Sequence, residues 1–140
     1  MMFIIPVEPK GQKRARAGKG FVYKDPVQKS REDDLMVYLL KEAPPEPLKG
    51  PMYVEITAYF KRPGTHYGKK DKKPYLKGVA PAMHTNTPDA DNVAKMLLDC
   101  MNKVFFKDDS QVSVLVIRKM YSEKPRWEIT IFEIVEDYLE

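Results

Sequence analysis

Five apolar side chains, Val93, Met96, Leu97, Cys100 and Val104, recur at i, i+3, i+4, i+7 and i+11. That spacing puts them on one face of a helix over residues 91–103. A helix with one apolar face must bury it against another element. Alternating segments supply that element. In residues 52–60, Val54, Ile56, Ala58 and Phe60 share one face of a strand, with Tyr53, Glu55, Thr57 and Tyr59 on the other. Residues 111–121 and 126–135 alternate too, and 122–125 fits a hairpin loop between them. Residues 2–7 are a short apolar strand that Pro6 confines to an edge or an early end. A second helix is expected over 26–43. Pro26 is tolerated in a first turn, Leu35, Val37, Tyr38, Leu39 and Leu40 make a broad stripe, and Pro44, Pro45 and Pro47 end it. The order β-α-β-α-β-β predicts an α/β (α+β) fold: a mixed β-sheet with two main helices packed on it.

At 140 residues the chain suits one domain over 1–140. Such a chain buries roughly two-thirds of its unfolded surface without needing a disulfide or structural metal. The single Cys100 makes no internal disulfide, lies on the apolar helix face and reads as core. No apolar run approaches the ~20 residues that cross a bilayer. Residues 1–7 lack a basic leader and a small-residue cleavage site. A cytoplasmic protein without a membrane partner or a small-molecule cofactor is expected. His66 and His84 have no Cys or His near them in sequence, which argues against zinc; they line DNA or serve no site. Trp127 and the 8 methionines read as packing.

The net charge of +4 is mild, but its distribution is uneven. Residues 10–24 carry Lys10, Lys13, Arg14, Arg16, Lys19 and Lys24 with no acid. Residues 61–77 carry Lys61, Arg62, Lys69, Lys70, Lys72, Lys73 and Lys77 against Asp71 alone. Both stretches fall in Gly- and Lys-rich segments, a mobile loop over 9–25 and a long connection over 61–88, the latter also rich in Pro. Clustered positive charge in such segments suits a polyanion such as DNA; charge by itself leaves a solvated surface without a partner equally open.

Acids flank the helix expected over 91–103. Asp91 begins it and can cap it, and Lys95 lies one turn on along the same face. The apolar stripe is on the other side, so both are open to a ligand. Asp89 sits just before the helix, at its positive end. Asp108 and Asp109 occupy a tight turn before a strand; if that strand lies beside the helix, one of the two can return to meet Asp89 and Asp91. Magnesium takes hard oxygen ligands and keeps several waters, so two or three aspartates with space for water and phosphate match it, with manganese as an alternative ion. Bound there, it lowers the pKa of a water and stabilises charge on phosphate oxygens. The Lys95 ammonium suits a transition state in which negative charge accumulates. Asn92 is either a polar helix residue or a partner that orients a carboxylate. The structural alternatives are a cap for Asp-x-Asp and a turn for Asp-Asp-Ser. With the basic stretches included, the two readings stand level.

The motif Asp89-x-Asp91-Asn92-x-x-Lys95, then Asp99, then Asp108-Asp109-Ser110-Gln111-Val112, resembles the RusA family of Holliday junction resolvases. The basic opening Pro9-Lys10-Gly11-Gln12-Lys13-Arg14-Ala15-Arg16 and the last strand pair, with Tyr121 and Pro125, resemble it too, so the likeness runs over nearly the whole chain. The resemblance implies a homodimeric, magnesium-dependent endonuclease acting on four-way DNA junctions in recombination and repair, of a kind often encoded by prophages. It implies Asp89, Asp91 and Asp109 as metal ligands and Lys95 as the catalytic lysine. Asn92 and Asp108 would then stand behind the ligands, and Lys10, Lys13, Arg14, Arg16, Lys69, Lys70, Lys72 and Lys73 would meet DNA. A four-way junction has approximate two-fold symmetry, and a symmetric dimer with one site per subunit matches two paired cuts. The chain departs from the pattern at Pro88, where some members carry a basic residue, and at the aromatic pair Phe105-Phe106. Phe105, Phe106 and Leu98 are candidates for a subunit contact or a wedge against bases, with core packing expected for at least one phenylalanine. The competing functions are a branched-DNA nuclease of broader selectivity and a DNA-binding module that does not cut.

Overall fold

A computed structural model describes residues 1–13 and 16–136, with Arg16 described by its backbone alone. In chain order the elements are β1 (Met2–Ile5), β2 (Arg16–Gly18), β3 (Phe21–Tyr23), α1 (Pro26–Glu42), β4 (Met52–Lys61), β5 (Tyr67–Lys70), β6 (Lys73–Leu76), α2 (Ala90–Met101), β7 (Val112–Ser122) and β8 (Arg126–Glu133). The expected skeleton is present as β1-α1-β4-α2-β7-β8. Two small antiparallel hairpins, β2-β3 and β5-β6, are added within the basic stretches that sequence reasoning left as loops.

The four-stranded sheet runs β1-β8-β4-β7. β1 is an edge strand, and it ends at Ile5, just before Pro6. The hairpin expected at 122–125 is not formed, because β4 lies between β7 and β8, parallel to the first and antiparallel to the second. α2 is a crossover from β4 to the strand beside it, which makes β4 and β7 parallel. The chain then steps over the end of β4 to pair with its other edge. Arg126 secures that step: its Nη1 donates to Ser122 Oγ (3.0 Å) and Lys124 O (2.8 Å), and its guanidinium lies 3.8 Å over the Tyr59 ring. Alternation identifies both strands but not which neighbour each one takes.

The core sits between the helices and one face of this sheet. β4 buries Val54, Ile56, Ala58 and Phe60, the face its alternation marked, and β8 adds Trp127, Ile129 and Ile131. α2 buries Val93, Met96, Leu97 and Cys100 against them. Burial pushes the Cys100 thiol up to about 12, so it is an inert core residue. α1 is capped by Asp25, whose Oδ1 accepts from Val27 N (2.8 Å). It buries Leu35 and Leu39, but Val37 and Leu40 face solvent, so its stripe is narrower than expected. Phe105 and Phe106 are both fully buried, and Phe105 stacks on Phe3 at 5.6 Å. That removes both from the candidates for a wedge or subunit contact; Leu98 is half-buried against the core. Among the described residues no helix is long and apolar enough to cross a membrane.

Candidate active site

The parallel pair β4-β7 and its crossover α2 fix where a site can form. α2 begins near the C-terminal end of β4, where helix N-termini and strand ends make anion-binding crevices. Its cap residue is Asp89, not Asp91: Asp89 is extended (φ −65°, ψ 152°), and its carbonyl accepts the first helical bond, from Val93 N at 3.0 Å. An aspartate at this position ordinarily spends its carboxylate on the first free N–H groups of the helix. Asp89 does not; its side chain makes no capping bond. Asp91 follows in the first turn, and Asp91, Lys95 and Asp99 are exposed along the outer face. Asp89, Asp91, Asn92, Lys95 and Asp99 line one open groove, with Gln12 and Lys13 of the N-terminal segment as its other wall.

That N-terminal segment is held close. Arg31 Nη1 donates to Gly11 O (2.8 Å), Lys13 N donates to Gln28 Oε1 (2.7 Å), and Gln12 Nε2 donates to Asp99. A Cβ on Gly11 would come within 2.6 Å of Asn92 Nδ2 and 2.7 Å of Pro88 Cβ, so only glycine lets the chain pass this near the helix start. Lys10, Gln12 and Lys13 thereby reach the acidic helix end from a distant part of the sequence.

The turn before Asp89 is fixed by Lys119 of β7. Its ammonium donates to Asn86 O and Pro88 O, each at 2.7 Å, and its own carbonyl accepts from His84 N at 3.0 Å. Tyr121 N donates to Ala82 O (2.8 Å), and Asn86 Nδ2 donates to the Tyr121 hydroxyl (3.1 Å). His66 and His84, far apart in sequence, both pack on the Tyr121 ring, at 4.7 and 4.9 Å. Sequence reasoning missed Lys119 and this aromatic hub, because only the fold brings the end of β7 to the 81–88 segment.

Asp108 and Asp109 lie elsewhere. The Ser110 hydroxyl donates to Asp108 Oδ2 (2.6 Å) and is the main cause holding that carboxyl below its ordinary value. Gln111 Oε1 accepts from Lys107 N and Asp108 N, while its Nε2 donates to Leu48 O (3.1 Å) and Gly50 O (2.9 Å), pinning the turn beside the start of β4. Burial raises the Asp109 carboxyl, followed by its hydrogen bond to Asp108 and the charges of Asp108 and Asp99. Asp109 is therefore at the end of α2 opposite Asp89 and Asp91. A crossover helix makes this unavoidable: it starts where one parallel strand ends and finishes where the next begins. The 12 residues of α2 span about 18 Å. Among the described residues no three His, Cys, Asp or Glu side chains converge on one point.

Of the three acids expected as ligands, the chain brings together Asp89 and Asp91. Two hard carboxylates on an open helix end, one of them released from capping, meet the demand of magnesium, which is commonly held by one or two carboxylates and otherwise by water and phosphate. Lys69, Lys70, Lys72 and Lys73 are exposed on the β5-β6 hairpin, whose tip residues Asp71 and Lys72 take φ of 52° and 64°, the left-handed pair of a tight hairpin turn. Lys10 and Lys13 are exposed beside the site. Arg14 and the side chain of Arg16 lie outside the described residues.

Comparison with known proteins adds a family model described as Endodeoxyribonuclease RusA, which matches residues 5–132. The chain is 33% identical over 137 residues to the uncharacterized protein YqaN of Bacillus subtilis (strain 168), covering 94% of this chain and 95% of that protein. It is also 33% identical over 101 residues to a protein of Lactococcus phage r1t named crossover junction endodeoxyribonuclease rusA, covering 71% of this chain and 70% of that one.

Proposed function

Because the chain belongs to the RusA family of endodeoxyribonucleases, we propose that it resolves four-way DNA junctions by paired phosphodiester hydrolysis, with magnesium held at Asp89 and Asp91. The observation that carries this reading is the Asp89 carboxylate, which occupies a capping position without capping and shares an open groove with Asp91 and Lys95. The ion supplies a water of lowered pKa and neutralises charge on the phosphate. The Lys95 ammonium, one turn from Asp91, faces the same groove and stabilises the charge that builds on the phosphate oxygens. Asn92, pressed against Gly11 and Pro88, keeps the helix start and its carboxylates in register. The exposed lysines of the β5-β6 hairpin, together with Lys10 and Lys13, hold the DNA backbone. The working form is a homodimer, one site per subunit, serving recombination, repair or the processing of phage DNA.

The test is cleavage of a synthetic mobile four-way junction in magnesium. Paired, symmetric nicks are expected, with much slower cutting of a flap and of linear duplex. Equal rates on all three substrates defeat the junction assignment.

Lys119 gives a second expectation. It touches no substrate in this reading and acts by fixing the backbone on which Asp89 sits. Lys119→Met removes two charge-assisted bonds to the 86–88 turn while keeping an aliphatic stem of similar length. A misplacement of about 1 Å at a reacting centre costs up to roughly 100-fold, so junction cleavage is expected to fall ~10- to 100-fold. Junction affinity should stay within about threefold, since phosphate contacts on the hairpin are untouched. Single-turnover rates and binding isotherms measured together check this; loss of binding in parallel with cutting assigns Lys119 to DNA contact instead.

A further inference from the structure

Among the described residues the strands of the β2-β3 hairpin pair only with each other. The second strand is nevertheless apolar and open: Phe21 is 60% exposed, Val22 73% and Tyr23 41%. Phe21 lies across Gly18, where a Cβ would come within 2.6 Å of its ring. Bracing the hairpin accounts for Phe21 alone, because Val22 and Tyr23 stand opposite Ala17 and Arg16. The rings of Phe21 and Tyr23, 5.5 Å apart, form an aromatic pair on one face of the ribbon. A hairpin that stays in water has no use for three large apolar side chains in a row, and such a patch marks a surface that meets something else.

The setting identifies what it meets. Residues 10–24 hold Lys10, Lys13, Arg14, Arg16, Lys19 and Lys24 and no acid. The hairpin follows Lys13, which lines the acidic groove, and is followed by Lys24, which is bridged to Glu32 of α1. Three residues per strand, at ~3.3 Å each, carry its turn roughly 10 Å from that base. A cationic stalk that carries flat apolar faces matches a polyanion that offers flat apolar faces of its own. Nucleic acid with open bases is such a polyanion: its phosphates take the cations and its bases stack on the rings. A second copy of the hairpin is a poor match, since like charges would meet. Resting on the nuclease reading above, we propose that the β2-β3 hairpin is a stacking finger, laying Phe21 and Tyr23 on unstacked bases at the branch point while the groove at its foot takes the phosphate to be cut. Opening a base costs most in intact duplex and least where pairing is already disturbed. The finger therefore favours branched DNA over linear duplex, which contacts to phosphate alone do not, because they carry no information about the bases.

The experiment measures binding without divalent metal, on a four-way junction and on linear duplex of equal length. Phe21→Leu keeps an apolar side chain but has no ring to stack. It is expected to raise the junction Kd roughly tenfold and the duplex Kd less than twofold. The dependence of Kd on salt should not change, because no phosphate contact is lost. Phe21→Tyr, which keeps the ring, should bind as the wild type does. Abasic residues at the branch point should weaken the wild type about tenfold and Phe21→Leu less than twofold, because the contact is already gone. Equal losses on junction and duplex, or a weakened salt dependence, mean that Phe21 only braces the neighbouring lysines, and overturn the finger. Unchanged junction binding by the double variant Phe21→Leu, Tyr23→Leu overturns it too; capture of anionic vesicles by the wild type alone would then assign the rings to a lipid surface. A drop in the solution mass of Phe21→Leu assigns the ring to a subunit contact instead. A wild type that needs these rings to bind the junction but never cuts it in magnesium overturns the nuclease reading and leaves the finger standing, so the two failures are told apart.

Discussion

Asp91→Asn is expected to lower junction cleavage by ~1,000-fold or more while junction binding is kept or tightened. Asp91 is exposed in the first turn of α2, so its replacement leaves no cavity. The fold loses only a carboxylate at a helix N-terminus, about 0.3–1 kcal/mol. The effect on chemistry is of another size. Metal-assisted stabilisation of a phosphoryl transition state is worth several kcal/mol, and each 1.36 kcal/mol is tenfold in rate. An amide keeps the shape but gives up the charge that would hold the proposed cation. Binding moves the other way, because one negative charge is withdrawn from a surface that meets phosphate. Single-turnover cleavage in magnesium, beside a binding isotherm without it, separates the two effects. Normal cutting by Asp91→Asn shows that Asp91 holds no metal needed for the chemistry.

The parts of the fold that the sequence disclosed are those written in local periodicity. The α2 stripe of Val93, Met96, Leu97 and Cys100 and the β4 face of Val54, Ile56, Ala58 and Phe60 are buried as their spacing demands. Strand neighbours were not legible, because alternation along β7 and β8 is the same whether they pair with each other or flank β4. The two hairpins were hidden for a related reason: glycines and lysines dominate 9–25 and 61–88, and the strand residues there are short runs braced by single aromatics, Phe21 across Gly18 and Tyr75 across Gly68. Within the site, Asp89, Asp91 and Lys95 share a groove because four-residue spacing on a helix is a local rule. The roles of Lys119 and Gly11 were invisible because they exist only through contacts between distant segments. Asp109 shows the limit most plainly. Its place beside the helix could be read, but not that a crossover separates the two ends of that helix by the full length of α2.

An equal mixture of Asp91→Asn and Asp109→Asn chains is expected to regain nicking that neither chain has alone. The reason is that separation. Within one chain, Asp109 stands beside the start of β4, held by Gln111 to Leu48 and Gly50, while Asp89 lines a pocket with Phe60 and Lys61 near the strand's other end. Asp109 lies toward the far end of α2, close enough to Asp99 to feel its charge, and it is not grouped with Asp89 and Asp91 among the described residues. If the chain works as a two-fold dimer with its α2 helices antiparallel, the partner's Asp109 would come to the acidic pair of this chain, and the relation would be reciprocal. In a mixed dimer one site then keeps every carboxylate, since it draws Asp89 and Asp91 from the Asp109→Asn chain and its third acid from the Asp91→Asn chain. The other site lacks two. Random pairing makes about half the dimers mixed, each with one working site, so nicking should return to roughly a quarter of the wild-type rate. The nicks should be single and unpaired, so that junctions are cut without being resolved. If each site is built within one chain, every site in the mixture carries a lesion and nothing returns. Should Asp109→Asn cut normally by itself, Asp109 is no ligand in either arrangement, and Asp89 and Asp91 hold the cation without a third acid.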